Sequence, residues 1–86
     1  MIIDGTLESE IREIFADCEG IFEWEERDWK LELRFEFQTS DKRIYRIGRT
    51  INRTELLAYR RGAILREAKR MKSAIMEWRK ETGEVK

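Results

Sequence analysis

Histidine and proline are absent from this 86-residue sequence, and cysteine occurs once, at Cys18. Without an imidazole, the chain cannot form a Ser-His-Asp or Cys-His catalytic arrangement, and it has no histidine ligand for zinc or iron. A single cysteine excludes an intramolecular disulfide. The glycines at positions 48, 62 and 83 are isolated, so no glycine-rich phosphate-binding loop is present. We therefore expect no bound metal and no cofactor.

Long hydrophobic runs are missing as well. No stretch of 18 apolar residues occurs, and residues 1–4 lack the basic and apolar regions of a signal peptide. We expect no membrane span and a cytoplasmic location, which would be the host cytoplasm if the source is viral.

The composition indicates one small folded domain over residues 1–86. Charged residues make up 42% of the chain and hydrophobic residues 41%, which is too apolar for a disordered segment. The net charge is zero, yet residues 1–41 carry a net charge of −9 and residues 42–86 a net charge of +9. The two halves can attract each other within one chain or across a dimer, or they can bind a charged partner.

Apolar residues three and four positions apart predict a first helix over residues 6–19. Its apolar face is Leu7, Ile11, Ile14 and Cys18, with Phe15 beside them. Thr6 is the predicted N-cap, and Gly20 the predicted left-handed exit from the helix.

Strict alternation of apolar and polar residues predicts strands over residues 21–26, 29–38 and 43–51. A two-residue turn at positions 27–28 predicts one set of pairs: Trp24 with Leu31, Phe22 with Leu33, and Glu25 with Lys30. A three-residue turn at positions 40–42 predicts the other: Phe37 with Tyr45, Phe35 with Ile47, Leu31 with Ile51, and Glu36 with Arg46. This second register also places Arg49 opposite Leu33, where it can reach solvent or pair with Asp17.

The helical period returns over residues 54–82, and Gly83 is the predicted end of this helix. Leu57, Ile64, Met71 and Trp78 repeat every seven residues. Such a helix is roughly 40 Å long, whereas a ten-residue strand spans about 33 Å, so we expect the end near Trp78 to extend beyond the sheet. The fold class is therefore α+β, with the order α-β-β-β-α. We expect an antiparallel three-stranded meander in the order 1-2-3, with both helices on one face.

This order of elements resembles the αβββα core of restriction-type nucleases, whose strands carry an acid followed by a Glu-x-Lys motif. The nearest match is Asp28 with Glu32-Leu33-Arg34, which ends in arginine. A flat sheet face also offers no pocket that excludes water. We therefore predict that the protein is not an enzyme.

The same order resembles that of double-stranded-RNA-binding domains, although Arg53-Thr54-Glu55 stands where those domains carry a lysine pair. A partial helix-turn-helix signature joins Ala58 to Gly62, but we favour one continuous helix with a weakened or closely packed position at Gly62. Basic side chains of this helix are candidate contacts for nucleic acid or an acidic partner: Arg60, Arg66, Lys69, Arg70 and Lys80.

Protein–protein association is the function that we favour from the sequence. The predicted overhang shows apolar side chains on two sides, and the polar face of the sheet is free of helices. The candidate interface residues are Ile75, Met76, Trp78, Glu23, Glu32, Arg34 and Glu36. We expect a small regulatory module with a protein partner or a second copy of itself, of the kind that phages and mobile elements use to modulate host machinery. Nucleic-acid binding is the alternative.

Overall fold

The computed structural model describes residues 3–27, 30–39 and 41–82. The elements are α1 (Gly5–Ile14), β1 (Ile21–Arg27), β2 (Lys30–Gln38), β3 (Ile44–Asn52) and α2 (Arg53–Thr82). The strands form one antiparallel sheet in the order β1-β2-β3, and the helices pack on one face of it, which confirms the predicted fold class. Four predicted features involve residues outside this description: Asp28 in the first turn, Trp29 at the start of the central strand, Ser40 in the second turn, and Gly83 after the last helix.

Helix α1 begins earlier than predicted because Asp4, and not Thr6, is its N-cap. The Oδ1 atom of Asp4 accepts a hydrogen bond from the backbone N–H of Leu7 at 2.8 Å. A carboxylate at this position also interacts favourably with the positive end of the helix dipole. The helix ends at Ile14, and the turn after it brings Cys18 into the core, so the predicted apolar face is buried, except for a half-buried Ile14, although the helix is shorter.

Gly20 has a role that differs from the predicted one. Its φ lies outside the left-handed region, so it is not a left-handed helix exit. A Cβ atom at this position would instead come within 2.6 Å of two carbons of the Phe35 ring. Glycine is needed here because the chain passes directly against β2.

The pairing of β2 with β3 confirms the predicted register, including Phe35 opposite Ile47 and Glu36 opposite Arg46. At the turn, the Thr39 N–H donates to the Arg43 carbonyl at 2.9 Å, and Lys42 adopts a left-handed φ of 67°. Tight three-residue hairpin loops commonly place one residue in this region.

The pairing of β1 with β2 corrects the predicted register by two residues. Phe22 lies opposite Phe35 and Trp24 opposite Leu33, and the strands pair as far as Arg27 with Lys30. A shift of two residues keeps the same side chains on the apolar face. The observed register is favoured by aromatic stacking, because it places Phe22 and Phe35 together against the ring of Phe15.

Helix α2 is kinked at Arg60, whose φ of 35° and ψ of −111° are not helical, so the predicted continuous helix is wrong. The kink falls two residues before Gly62. It also changes which side chain of the first segment faces inward: Leu56 is 8% exposed, whereas Leu57 is 62% exposed. The Asn52 side chain accepts a hydrogen bond from the Glu55 N–H at 2.9 Å and caps the first turn.

The kink turns the segment 61–82 back over the sheet, and the predicted overhang at Trp78 is therefore wrong. This segment is about 33 Å long, close to the roughly 30 Å of a nine-residue strand. The ring of Trp78 lies 4.8 Å from that of Tyr45 and 5.5 Å from that of Phe37, measured between centroids.

The core lies between the sheet and the helices. It is built on a row of aromatic rings whose neighbouring centroids are 4.5 to 6.3 Å apart. In spatial order the rings are Trp24, Phe22, Phe15, Phe35, Phe37, Tyr45 and Trp78. Aliphatic residues pack around this row, and Leu31, Leu33, Ile51, Ile64 and Met71 are fully buried. Arg49 lies opposite Leu33 as predicted and is exposed; Asp17, one partner considered for it, pairs with Lys72.

Candidate interaction surfaces

The open face of the sheet, the side away from the helices, carries a ladder of ion pairs. Glu23, Glu32, Arg34 and Glu36 lie on this face, as predicted from the strand alternation. Arg34 Nη1 lies 3.5 Å from Glu25 Oε2 and 3.7 Å from Glu32 Oε2. It thereby offsets the repulsion between two glutamates that the corrected register places opposite each other.

The ladder continues towards both ends of the sheet. At one end, Arg27 lies 3.2 Å from Glu25. The hydrogen bond from Arg27 is the main reason that the pKa of Glu25 lies below its ordinary value. At the other end, the Arg46 Nε atom donates to Glu36 Oε2 at 2.7 Å. Most charged groups of this face are thus in contact with a group of opposite charge.

Two isoleucines flank the Glu36–Arg46 pair on the same open face. Ile21 is 60% exposed and lies opposite Glu36 in the register. Ile44 is 62% exposed and precedes Arg46 by two residues, so Ile44 and Arg46 lie on the same side of β3. We did not select these residues as interface candidates from the sequence. The sequence signal is that each is an apolar residue at a position where the alternation of its strand is otherwise polar.

The basic residues of α2 line a shallow, open groove on the outward side of the helix. Arg66, Lys69 and Arg70, which the helical period predicts to lie together, do so, and Gly62, Leu65 and Ser73 complete the lining. The other two predicted basic contacts lie apart from this groove lining: Arg60 is at the kink, and Lys80 is exposed near the end of the helix.

Acidic neighbours reduce the positive charge of this groove. The Glu67 carboxylate, on a residue only 7% exposed, accepts hydrogen bonds at 3.1 Å from both Arg66 and Arg70. Arg66 also approaches Glu55 at 3.5 Å. Lys69 is exposed and has no ion pair within the described part of the chain.

Several other basic side chains of α2 bind groups within the molecule. Arg61 pairs with Glu10 of α1, and Lys72 Nζ lies 2.7 Å from Asp17 Oδ1. The guanidinium of Arg79 lies 5.2 Å from the centroid of the Phe37 ring. The acidic first half and the basic second half of the chain are therefore joined in part by their own ion pairs.

The apolar residues predicted as an interface on α2 have different positions from those expected. Ile75 is 2% exposed and Trp78 is half-buried against the sheet, so of these three only Met76, at 38% exposure, is exposed. The exposed apolar residues of α2 that we missed are Leu57 and Tyr59, at 62% and 65% exposure, immediately before the kink. The partial helix-turn-helix signature from Ala58 to Gly62 was the sequence signal near this break, and we interpreted it as one continuous helix.

Metal-ligating groups and the cysteine thiol bear on possible reactive chemistry. Among residues 3–27, 30–39 and 41–82, no three acidic or cysteine side chains are grouped as a metal site. Cys18 is buried, and this burial raises the pKa of its thiol. In the same residues, no helix is long and apolar enough to span a bilayer.

Comparisons of this chain with protein-family models, with curated proteins and with solved structures find no match.

Proposed function

We propose that this chain is a non-catalytic protein-binding module whose protein partner docks on the open face of the sheet. The observation that carries the proposal is the exposure of Ile21 and Ile44 on either side of the Glu36–Arg46 pair. Apolar side chains next to a polar rim are the usual composition of a protein–protein interface.

The shape of this face favours a macromolecular partner. Three strands of seven to nine residues form one uncovered sheet surface. Small molecules prefer concave sites that enclose most of their surface, and a sheet face is too open for this. A protein partner can cover both isoleucines and the ion pair between them together.

The charge of this face favours a protein over a polyanion. Its acidic side chains are Glu23, Glu25, Glu32 and Glu36, and its basic side chains are Arg27, Lys30, Arg34 and Arg46. Because the two signs balance, this surface has no net attraction for phosphates. The fixed pairs can instead select a partner whose charges are complementary.

The test uses a photo-reactive amino acid placed at position 44, with a matched version at position 57. Ile44 and Leu57 are equally exposed, at 62%, but Ile44 lies on the open face and Leu57 on α2. In lysate of the native host, we expect position 44 to form a discrete adduct with a protein, and the adduct should survive nuclease treatment. Adding Ile21→Lys should abolish it.

Two outcomes would contradict this function. One is an adduct pattern that is the same from positions 44 and 57, since this would indicate unspecific contact. The other is an adduct at position 44 that Ile21→Lys leaves unchanged. Thermal melting of each variant establishes that the fold is retained, which we expect because both isoleucines are mostly exposed.

Nucleic-acid binding is the second candidate, and the groove at Arg66, Lys69 and Arg70 is the observation that favours it. It ranks second because Glu55 and Glu67 neutralise part of this charge. If it is correct, Lys69→Gln weakens retention on RNA or DNA and lowers the salt dependence by about one counterion. Glu67→Gln should strengthen retention, because it releases Arg66 and Arg70. Absence of retention at low salt would exclude this function.

A further inference from the structure

The apolar pattern of helix α2 is that of a straight helix, whereas its backbone is bent. Leu57, Ile64, Met71 and Trp78 recur every seven residues, so in an unbroken helix they would follow one face. In the structure Ile64 and Met71 are fully buried and Trp78 is half-buried, whereas Leu57 is 62% exposed. The repeat is interrupted at one point, Arg60.

The backbone of Arg60 is unfavourable for the residue that occupies it. A φ of 35° with a ψ of −111° lies outside the regions that side chains with a Cβ atom normally adopt. Arginine is also a good helix former, so its local preference is for the straight conformation. The kink therefore persists because of the contacts that the segment 61–82 makes with the sheet.

Those contacts do not require that the sheet and the segment belong to the same chain. If Arg60 becomes helical, the segment 61–82 leaves its own sheet, and Trp78 no longer covers Phe37 and Tyr45. An identical segment from a second copy can replace it with the same contacts. The Arg61–Glu10 and Lys72–Asp17 ion pairs would then form between copies instead of within one.

We infer that α2 straightens at Arg60 and exchanges residues 61–82 with a second copy of the chain, which gives a domain-swapped homodimer. The exchange conserves the core contacts and removes the strained backbone at both hinges, which is how swapping becomes favourable. Leu57 and Tyr59, exposed beside the hinge in the bent form, lie where the two copies meet. The open face of the sheet is unaffected, so this inference is independent of the proposed function.

The first experiment distinguishes an exchanged segment from a dimer of bent chains. Unlabelled and isotope-labelled chains are unfolded together, refolded at high concentration and separated by size. A carbodiimide then joins adjacent carboxylate and ammonium groups, and the contact of 2.7 Å between Asp17 and Lys72 makes this pair a substrate. In the dimer fraction we expect cross-linked peptides that combine a labelled residue 17 with an unlabelled residue 72. Absence of a dimer, or cross-links confined to one label in the dimer, would overturn the inference.

The second experiment tests the hinge with two variants that both remove the arginine side chain. Arg60→Gly relieves the backbone strain of the bent form, because glycine tolerates a positive φ, and it disfavours the straight helix. Arg60→Ala leaves the bent backbone strained and the straight helix favoured, as in the wild type. We expect the dissociation constant of the dimer to rise by about tenfold or more in Arg60→Gly relative to Arg60→Ala. Equal dissociation constants for the two variants would show that the hinge does not control dimerisation. Monomers from wild type and Arg60→Ala at all concentrations would overturn the inference as well.

Discussion

The Lys72 ammonium nitrogen lies 2.7 Å from the Asp17 carboxylate oxygen Oδ1, and this contact ties the middle of α2 to the turn that follows α1. The hydrogen bond from Lys72 lowers the pKa of Asp17 from its ordinary value. The same bond raises the pKa of Lys72 from its ordinary value. Each shift shows that the folded state favours the charged form of the group.

The stabilisation that this ion pair contributes should decrease both at low pH and at high pH. A lowered pKa at Asp17 contributes stability above pH 3.8, which is lost as the pH falls through the folded value. A raised pKa at Lys72 contributes stability below pH 10.5, which is lost as the pH rises through the folded value. Urea unfolding of Asp17→Asn, Lys72→Met and the double variant should therefore give a favourable coupling energy at pH 7 that declines in acid. An unchanged coupling energy at pH 3 would contradict the assignment.

Gly20→Ala should destabilise the protein by about 2 kcal/mol, because the new methyl group overlaps the Phe35 ring or forces β2 to move. Gly62→Ala is the matched control, since a Cβ atom there meets nothing within 4 Å. We expect it to stabilise the helix by about 0.5–1 kcal/mol. Chemical denaturation measures both changes, and equal effects at the two glycines would contradict the close approach at position 20.

Trp78→Ala should cost about 2–4 kcal/mol, since the indole packs on Tyr45 and Phe37. Met76→Ala, two residues earlier and 38% exposed, should change the free energy of unfolding by about 0.5 kcal/mol or less. If both variants unfold like the wild type, the end of α2 extends beyond the sheet after all.

Cys18 should react slowly with thiol reagents in the native protein and rapidly in urea. Burial is the largest reason for its raised pKa, and the negative charge of Asp17 is the next. Both disfavour the thiolate, which is the reactive form. Asp17→Asn should therefore accelerate the native reaction, whereas a rate that matches the unfolded protein would show that the thiol is exposed.

The sequence predicted the fold correctly where the spacing of apolar residues along the chain and the contacts in the folded protein favour the same arrangement. Four apolar residues in alternation define β2, and the pairing of Glu36 with Arg46 favours one register with β3 over its neighbours. The register of β1 was missed because a shift of two residues leaves the apolar face unchanged. The stacking of Phe22 and Phe35 against Phe15, which belongs to neither strand, favours the observed register.

The candidate surfaces were predictable in position and not in their interactions. Helical spacing placed Arg66, Lys69 and Arg70 together, but the buried carboxylate that binds two of them depends on packing. The kink is a stronger case, because the partial signature from Ala58 to Gly62 did not outweigh the apolar period of a continuous helix. Contacts between the sheet and residues further along the chain are compatible with the kink, and sequence periodicity does not register such contacts.

The row of aromatic rings has a consequence for spectroscopy. It includes Phe15 at the end of α1, Phe22 and Trp24 on β1, and rings from β2, β3 and α2. Rings at such separations, held in fixed orientations, couple their electronic transitions and give circular dichroism in the near ultraviolet. A change in one element would therefore alter the signal of chromophores that it does not touch. This optical band reports on the packing of the whole domain.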